Sequence, residues 1–239
     1  MVVERPRGDR RERANRILDT ARELLLSWGY RRVTIDELAR RAGVGKGTIY
    51  LHWRSREEVF HAVSAREAAA MADAIVQAVR DDPAEVALHR YLRRLFVEAM
   101  NRPVLRALYT RDADTLDTFL ASTHHHHLEE SKLGVNRDYL GVLAAQGMLR
   151  PDLRLNDLDY TLPTIVFGFF AAEPFHPPVI TLTLEQKADQ LAQTIRRAFE
   201  PTDAPSSDTL KRAAAKALPI LERLARDHRA ATYGGDHDD

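Results

Sequence analysis

At 239 residues, 44% of them hydrophobic, the chain is long enough for one large or two modest domains with a buried core. It has no cysteine, which excludes disulfides, thiol catalysis and zinc fingers and fits a reducing compartment. The 35 Lys and Arg match the 35 Asp and Glu, but unevenly: residues 1–60 hold 14 basic and 9 acidic side chains, a net of +5, so the remainder carries −5. A basic head on an acidic body is the footprint of a DNA-binding unit joined to one that avoids DNA. The opening residues are charged rather than apolar, and the longest apolar run, near 165–172, is too short to span a bilayer. A cytoplasmic protein with no membrane partner is expected.

Residues 1–9 are a charged arm with Arg5 and Arg7. Such arms either reach the minor groove and phosphates or stay solvated. A helix follows over about 9–28, with Ile17, Ala21, Leu24, Leu25 and Trp28 on one stripe and Gly29 as its stop. The next stretch, VTIDELARRAGVGKGTIYLHWRSREEVF at 33–60, is the most informative in the chain. Thr34 is a good N-cap, with Glu37 three residues on as a capping box requires. Ile35, Leu38, Ala39 and Ala42 repeat at helical spacing, and Gly43 stands where a left-handed residue ends the helix. Val44 returns the chain to the core, and Gly45 opens a short helix to about His52. Ser55, with Glu58, caps a third helix. Two helices joined by a short glycine turn make a helix-turn-helix, whose second helix enters the DNA major groove.

The residue types on that second helix suit DNA. Ile49 and Trp53 are four apart and belong to the core. Lys46, Gly47, Thr48, Tyr50 and His52 are left facing outward. Lys46 offers a cation to phosphate or guanine, Gly47 lets backbone approach the duplex, and Thr48 offers a hydroxyl and a methyl to base edges. The Tyr50 hydroxyl and His52 imidazole suit phosphate. Arg56 lies in the first turn of the following helix, where free N–H groups join it on an anion. The expected DNA-binding set is Thr34, Gly45, Lys46, Gly47, Thr48, Tyr50, His52 and Arg56.

This stretch resembles the DNA-binding region of the TetR family of bacterial transcription regulators, through T-I-D-E-L-A-R-R-A-G-V-G-K-G-T-I-Y-L-H-W and the S-R-E-E-V-F that follows. The family usually has Phe at Trp53, often Lys at Arg56, and commonly Ser at Gly45, where this chain's cap is backbone-only. The resemblance covers about a fifth of the chain. It implies a homodimer whose small-molecule effector releases it from its operator.

Beyond Arg56 the pattern stays helical. Helices are expected over about 55–80, 84–101 and 103–109, with Asp81-Asp82-Pro83 as a break. One or two more should fill 112–146, with an irregularity near the histidines and Gly134. The G-M-L-R-P-D-L turn at 147–153 is also common before the last two core helices of TetR-type proteins. Helices at about 156–173 and 184–199 follow, separated by a proline loop. The PVITLTL at 178–184 has β propensity but no partner strand. A Pro/Ser/Asp linker at 201–207 leads to an amphipathic helix over about 209–229, which Pro219 should kink, and then a polar tail.

No phosphate loop, H-E-x-x-H or G-x-S-x-G is present, so an enzyme is not expected and no cofactor is implied. His124–His127 is an internal run of four histidines. His124 and His127 share a helical face and suit a metal edge, a pH-sensitive element or simply a polar helix end. Phe96, Met100, Tyr109, Phe119 and Phe167 are candidate lining residues of an effector pocket, or ordinary core. A pocket of that make-up suits a largely apolar or aromatic ligand.

The expected architecture is therefore all-α. A three-helix DNA-binding domain with its basic arm occupies 1–56, a ligand-binding and dimerising helical bundle 57–200, and a linker, extra helix and tail 201–239. The expected partners are a near-palindromic double-stranded operator, an effector and a second copy of the chain, paired through 157–172 and 184–199. Two rivals remain open: a ligand-independent DNA-binding or architectural protein whose second domain only dimerises, and a helical enzyme. A dry core would favour the first, and a pocket with convergent perturbed carboxylates or histidines the second.

Overall fold

The computed structural model describes residues 7–110, 123–172 and 181–233, together with 175, 177 and 179. Ten α-helices run in chain order through the described residues: α1 (Arg7–Trp28), α2 (Ile35–Ala42), α3 (Lys46–Tyr50), α4 (Arg56–Asp81), α5 (Leu88–Met100), α6 (Pro103–Thr110), α7 (Thr123–Ala145), α8 (Leu155–Ala171), α9 (Leu184–Phe199) and α10 (Ser207–Thr232). Short 3-10 turns at Tyr30–Arg32 and Pro83–Val86 connect α1 to α2 and α4 to α5. The described residues contain no strand.

Two apolar cores organise the chain. The first gathers Ile17, Leu18, Leu24, Leu38, Ile49, Trp53 and Phe60. Val59 and Val63 of α4 and Val104 of α6 join it as well. The boundary expected at residue 56 therefore runs through the start of one continuous 26-residue helix, which belongs to both units. The second core joins Ile75, Val76 and Val79 of α4 to α5, α7, α8, α9 and α10.

The segment expected as one helix over 84–101 is broken. Ala87 is extended (ψ 137°) and starts α5 as its N-cap. The alanine methyl cannot accept a hydrogen bond, so the buried Glu200 caps the helix from the end of α9. Its Oε1 accepts from the His89 N–H at 2.9 Å and its Oε2 lies 2.7 Å from His89 Nδ1. Arg196 lies 3.3 Å from the same carboxylate, so the charge stays paired. The irregularity expected near Gly134 is absent: α7 is continuous through it. The G-M-L-R-P-D-L turn closes two helices at once. Gly147 is left-handed (φ 67°) and Met148 N–H bonds the Leu143 carbonyl. Arg150 then covers α9, its N–H on the Phe199 carbonyl at 2.9 Å and its guanidinium on Ala198 at 3.2 Å.

The last helix is part of the body. Helix α10 lies antiparallel along α4 and also touches α7. Its buried stripe is Ala213, Ala214, Ala217, Leu221 and Ala225, with Leu210 partly covered. Small side chains let the two helices approach closely. α10 is helical through Pro219, which faces solvent. Arg80–Glu222 and Arg229–Asp73 pairs rim the contact. At its end the Tyr233 hydroxyl donates to Asn15 Oδ1 of α1 at 2.8 Å, and Arg11 sits 4.7 Å over the Tyr233 ring. The C-terminal helix thereby reaches from the second core to the first.

Candidate nucleic-acid interface

Helix α2 is capped as expected at one end of the box: Thr34 Oγ1 accepts from Glu37 N–H at 3.2 Å. The Glu37 side chain does not complete the box. It turns to Arg40 and Arg41, whose hydrogen bonds lower its pKa to about 2. Gly43 is left-handed (φ 65°), a conformation that any side chain would strain, and its turn directs Val44 N–H to the Ala39 carbonyl. The chain then enters α3 through Gly45, with no side-chain cap.

On α3, Ile49 and Trp53 are buried and fix the helix on the first core. The rest of the helix is exposed at Gly45, Lys46, Gly47 and Tyr50, and half-covered at Thr48 and His52. Tyr50 is 51% exposed. A Cβ built on Gly47 would meet nothing within 4 Å, so no neighbour among the described residues demands glycine there. Lys46 forms an ion pair with Asp36 of α2 in the free protein.

Two features of this face were not evident in the sequence. Leu51 is 73% exposed. At about 100° per residue it falls opposite the Ile49–Trp53 side, next to Gly47 and at the centre of the outward face. Arg10 and Arg13 of α1 stand beside the end of α3. Arg10 Nη2 lies 3.5 Å from the Leu51 carbonyl. Burial lowers the pKa of His52, and the positive fields of Arg10 and Arg13 lower it further. The helical spacing of Leu51 offered the first signal. The second is tertiary and has no local signature.

Thr34 is exposed, with its hydroxyl engaged as the α2 cap. Arg56 is turned inward. Its guanidinium lies 4.4 Å over the Tyr30 ring and donates to the Val33 carbonyl at 3.2 Å, while Glu57 joins it and the Tyr30 hydroxyl. This strap holds the α1–α2 connection against the start of α4.

The candidate effector residues scatter. Phe96 is buried against Phe170, with ring centroids 5.0 Å apart, and meets Phe169 edge-on at 6.5 Å. Met100 packs at the margin of the same core. Phe167 is 48% exposed, because Leu158, Leu162 and Phe170 define the inward side of α8 and Phe167 lies off it. Phe119 lies outside the described residues, as do the side chains of Tyr109, His124 and His127.

The family model of the bacterial regulatory proteins of the tetR family matches residues 17–63. The chain is similar to the HTH-type transcriptional regulator SrpR of Pseudomonas putida, 26% identical over 201 residues that span 75% of this chain and 93% of the relative. It is also similar to the HTH-type transcriptional repressor AcnR of Corynebacterium glutamicum, 24% identical over 70% of this chain and 83% of that one. Among solved structures it resembles the fatty acid degradation regulator FadR from Bacillus halodurans, with a TM-score of 0.59 and 16% identity over 76% of this chain and 93% of that one. A gamma-butyrolactone receptor, an ArpA-like protein, matches with a TM-score of 0.54 and 19% identity over 91% of this chain and 98% of that one. With the glycine turn, the capped α2 and the outward face of α3 in register with that match, residues 17–63 are a helix-turn-helix domain of the tetR type.

Proposed function

We propose that the protein is a homodimeric repressor that binds a near-palindromic operator and is released by a small-molecule effector. The outward face of α3 carries this reading. It offers one cation, an open glycine, a hydroxyl pair and an apolar prong on a helix whose other side is locked into the core. Lys46, Tyr50 and His52 suit phosphate, Thr48 and Leu51 suit base edges, and Thr34, Gly45 and Gly47 let backbone approach. Arg56 serves by holding the domain in shape. A selected operator, titrated with the full-length protein in a fluorescence anisotropy assay, tests the reading.

His52 makes this binding pH-dependent. In the free protein its pKa is held below 6.5 by burial and by Arg10 and Arg13. A phosphate at that corner offsets the two arginines and raises the value, so binding takes up a proton. Operator affinity is therefore expected to fall as pH rises through the bound-state value, and to level off below the free-state one. A His52→Gln protein should lose that slope. An identical profile in the variant assigns the slope to another group.

The exposed face of α8 supports the dimer reading. Tyr160 is 77% exposed and Phe167 stands on the same outward side, near Pro163 and Thr164. Aromatic rings left in water on one helix face suit a second copy of that face across a two-fold axis. The outward side of α9 is polar, with Gln186, Gln190, Gln193 and Arg197, and supplies the rim. Sedimentation should give a dimer at micromolar concentration, and Tyr160→Glu combined with Phe167→Glu should give a folded monomer. A monomeric wild-type protein, with and without DNA, overturns the proposal.

A further inference from the structure

The second core holds a cavity of about 150 Å³ between α5, α7 and α8. Two wider clefts, of about 270 and 390 Å³, flank Gly147 beside the linker. The 150 Å³ cavity opens to solvent past Leu133 and Pro163 and is walled mainly by apolar side chains, among them Leu92, Leu140, Leu162 and Val166, with the Tyr91 ring on one side. Of the effector residues expected from the sequence, Phe96, Met100 and Phe167 do not line it. One of its few polar groups is unusual. Asp159 of α8 stands on the wall, its Oδ2 held by Arg137 at 2.7 Å from Nε and 2.6 Å from Nη2. Its Oδ1 is buried and accepts no hydrogen bond from the described residues.

Buried acceptors without donors are rare in folded proteins, because desolvating the oxygen is unfavourable and nothing offsets it. A carboxylate that keeps one oxygen bare against an apolar wall is arranged to meet a donor from outside the chain. The volume is that of a single ring. Arg137 balances the carboxylate charge through Oδ2 and leaves Oδ1 as the acceptor still unpaired. An anion there would face it directly, and an apolar ligand without a donor would leave it unsatisfied. Burial pushes the Tyr91 hydroxyl up to about 12, so that side of the cavity stays neutral.

We infer that this cavity is the effector site and that it takes a compact, uncharged aromatic bearing one hydrogen-bond donor, of the phenol or arylamine class, whose O–H or N–H is accepted by Asp159 Oδ1. The inference rests on the effector-released reading above and sharpens it. Position supports the coupling. Leu162 and Val166 face the cavity from the same helix that turns Tyr160 and Phe167 outward, and Tyr91 and Leu92 share a core with Val76 and Val79 of α4. A ring seated there presses on both the proposed dimer helix and the helix that continues into the DNA-binding unit.

The test uses three probes of one size on the full-length dimer: phenol, toluene and benzoate, by titration calorimetry. Phenol is expected to bind about tenfold or more tightly than either of the others, the range of one hydrogen bond to a charged acceptor. In Asp159→Asn the preference of phenol over toluene should shrink severalfold while toluene binding persists. In Leu162→Trp, which fills the cavity, all three should fail. The ranking on the unmodified protein decides the matter even if a variant does not fold. Equal affinities for phenol and toluene, a preference for benzoate, or unchanged phenol binding in a folded Leu162→Trp protein overturns the assignment. An operator titration run alongside separates the two claims. Probes that rank as expected but leave operator affinity unchanged support the ligand class and count against effector release.

Discussion

Removal of the last helix by truncation at Pro201 is expected to lower the melting temperature by about 10–20 °C. Helix α10 buries Leu221 and four alanines, Ala213, Ala214, Ala217 and Ala225. A buried leucine contributes about 2 kcal/mol and each alanine methyl about 0.8 kcal/mol, so the stripe is worth roughly 5 kcal/mol. The truncation would also strip the cover from α4, where Ile75, Val76 and Val79 belong to the same core. The rim ion pairs add little, since Arg80, Glu222, Asp73 and Arg229 all retain access to water. A milder variant isolates the contact with the DNA-binding unit. Tyr233→Ala removes the bond to Asn15 and the stacking of Arg11, with a melting shift of only a few degrees. Calorimetric scans of the three proteins check both expectations. A truncated protein that melts and dimerises like the full chain would make α10 dispensable and this account of it wrong.

What the sequence disclosed follows the range of the forces involved. Caps and glycine turns are local, so Thr34, Gly43, Ser55 and Gly147 marked their helix ends within a residue or two. The outward set on α3 was legible because Ile49 and Trp53, four apart, left only one side free. The break at Ala87 was not, because its cap arrives from Glu200, more than a hundred residues away. Arg56 illustrates the converse. Its place in a first helical turn suggests an anion, but the Tyr30 ring and Val33 carbonyl, brought together by the fold, hold its guanidinium instead. The proposed effector region was least legible. Aromatic residues at helical spacing look alike in a solid core and around a cavity, and Phe96 proved to be core. Asp159 gave no local sign, since its significance is the oxygen left bare after Arg137 takes the other.

Lys46→Ala and Tyr50→Phe should each weaken operator binding by roughly 1–3 kcal/mol, across sequences rather than at one base pair, and Lys46→Ala should reduce the salt slope by about one. Thr48→Ala and Leu51→Ala should act differently. Neither side chain brings charge, so overall affinity should change less than the base preference does, with Leu51 expected to favour a thymine methyl. The free-state pairing of Lys46 with Asp36 adds a sharper expectation. That contact must be exchanged when Lys46 turns to DNA, and the Asp36 carboxylate itself repels phosphate. Asp36→Asn should therefore tighten binding to any duplex and steepen its salt dependence, although it removes an ion pair from the fold. A purely structural role for the pair predicts the opposite, a less stable domain with weaker binding. Anisotropy titrations at two salt concentrations, on the operator and on a scrambled duplex, distinguish these outcomes. The assignment of α3 as the recognition helix fails if a folded Lys46→Ala/Tyr50→Ala protein binds the operator as tightly as the unmodified one.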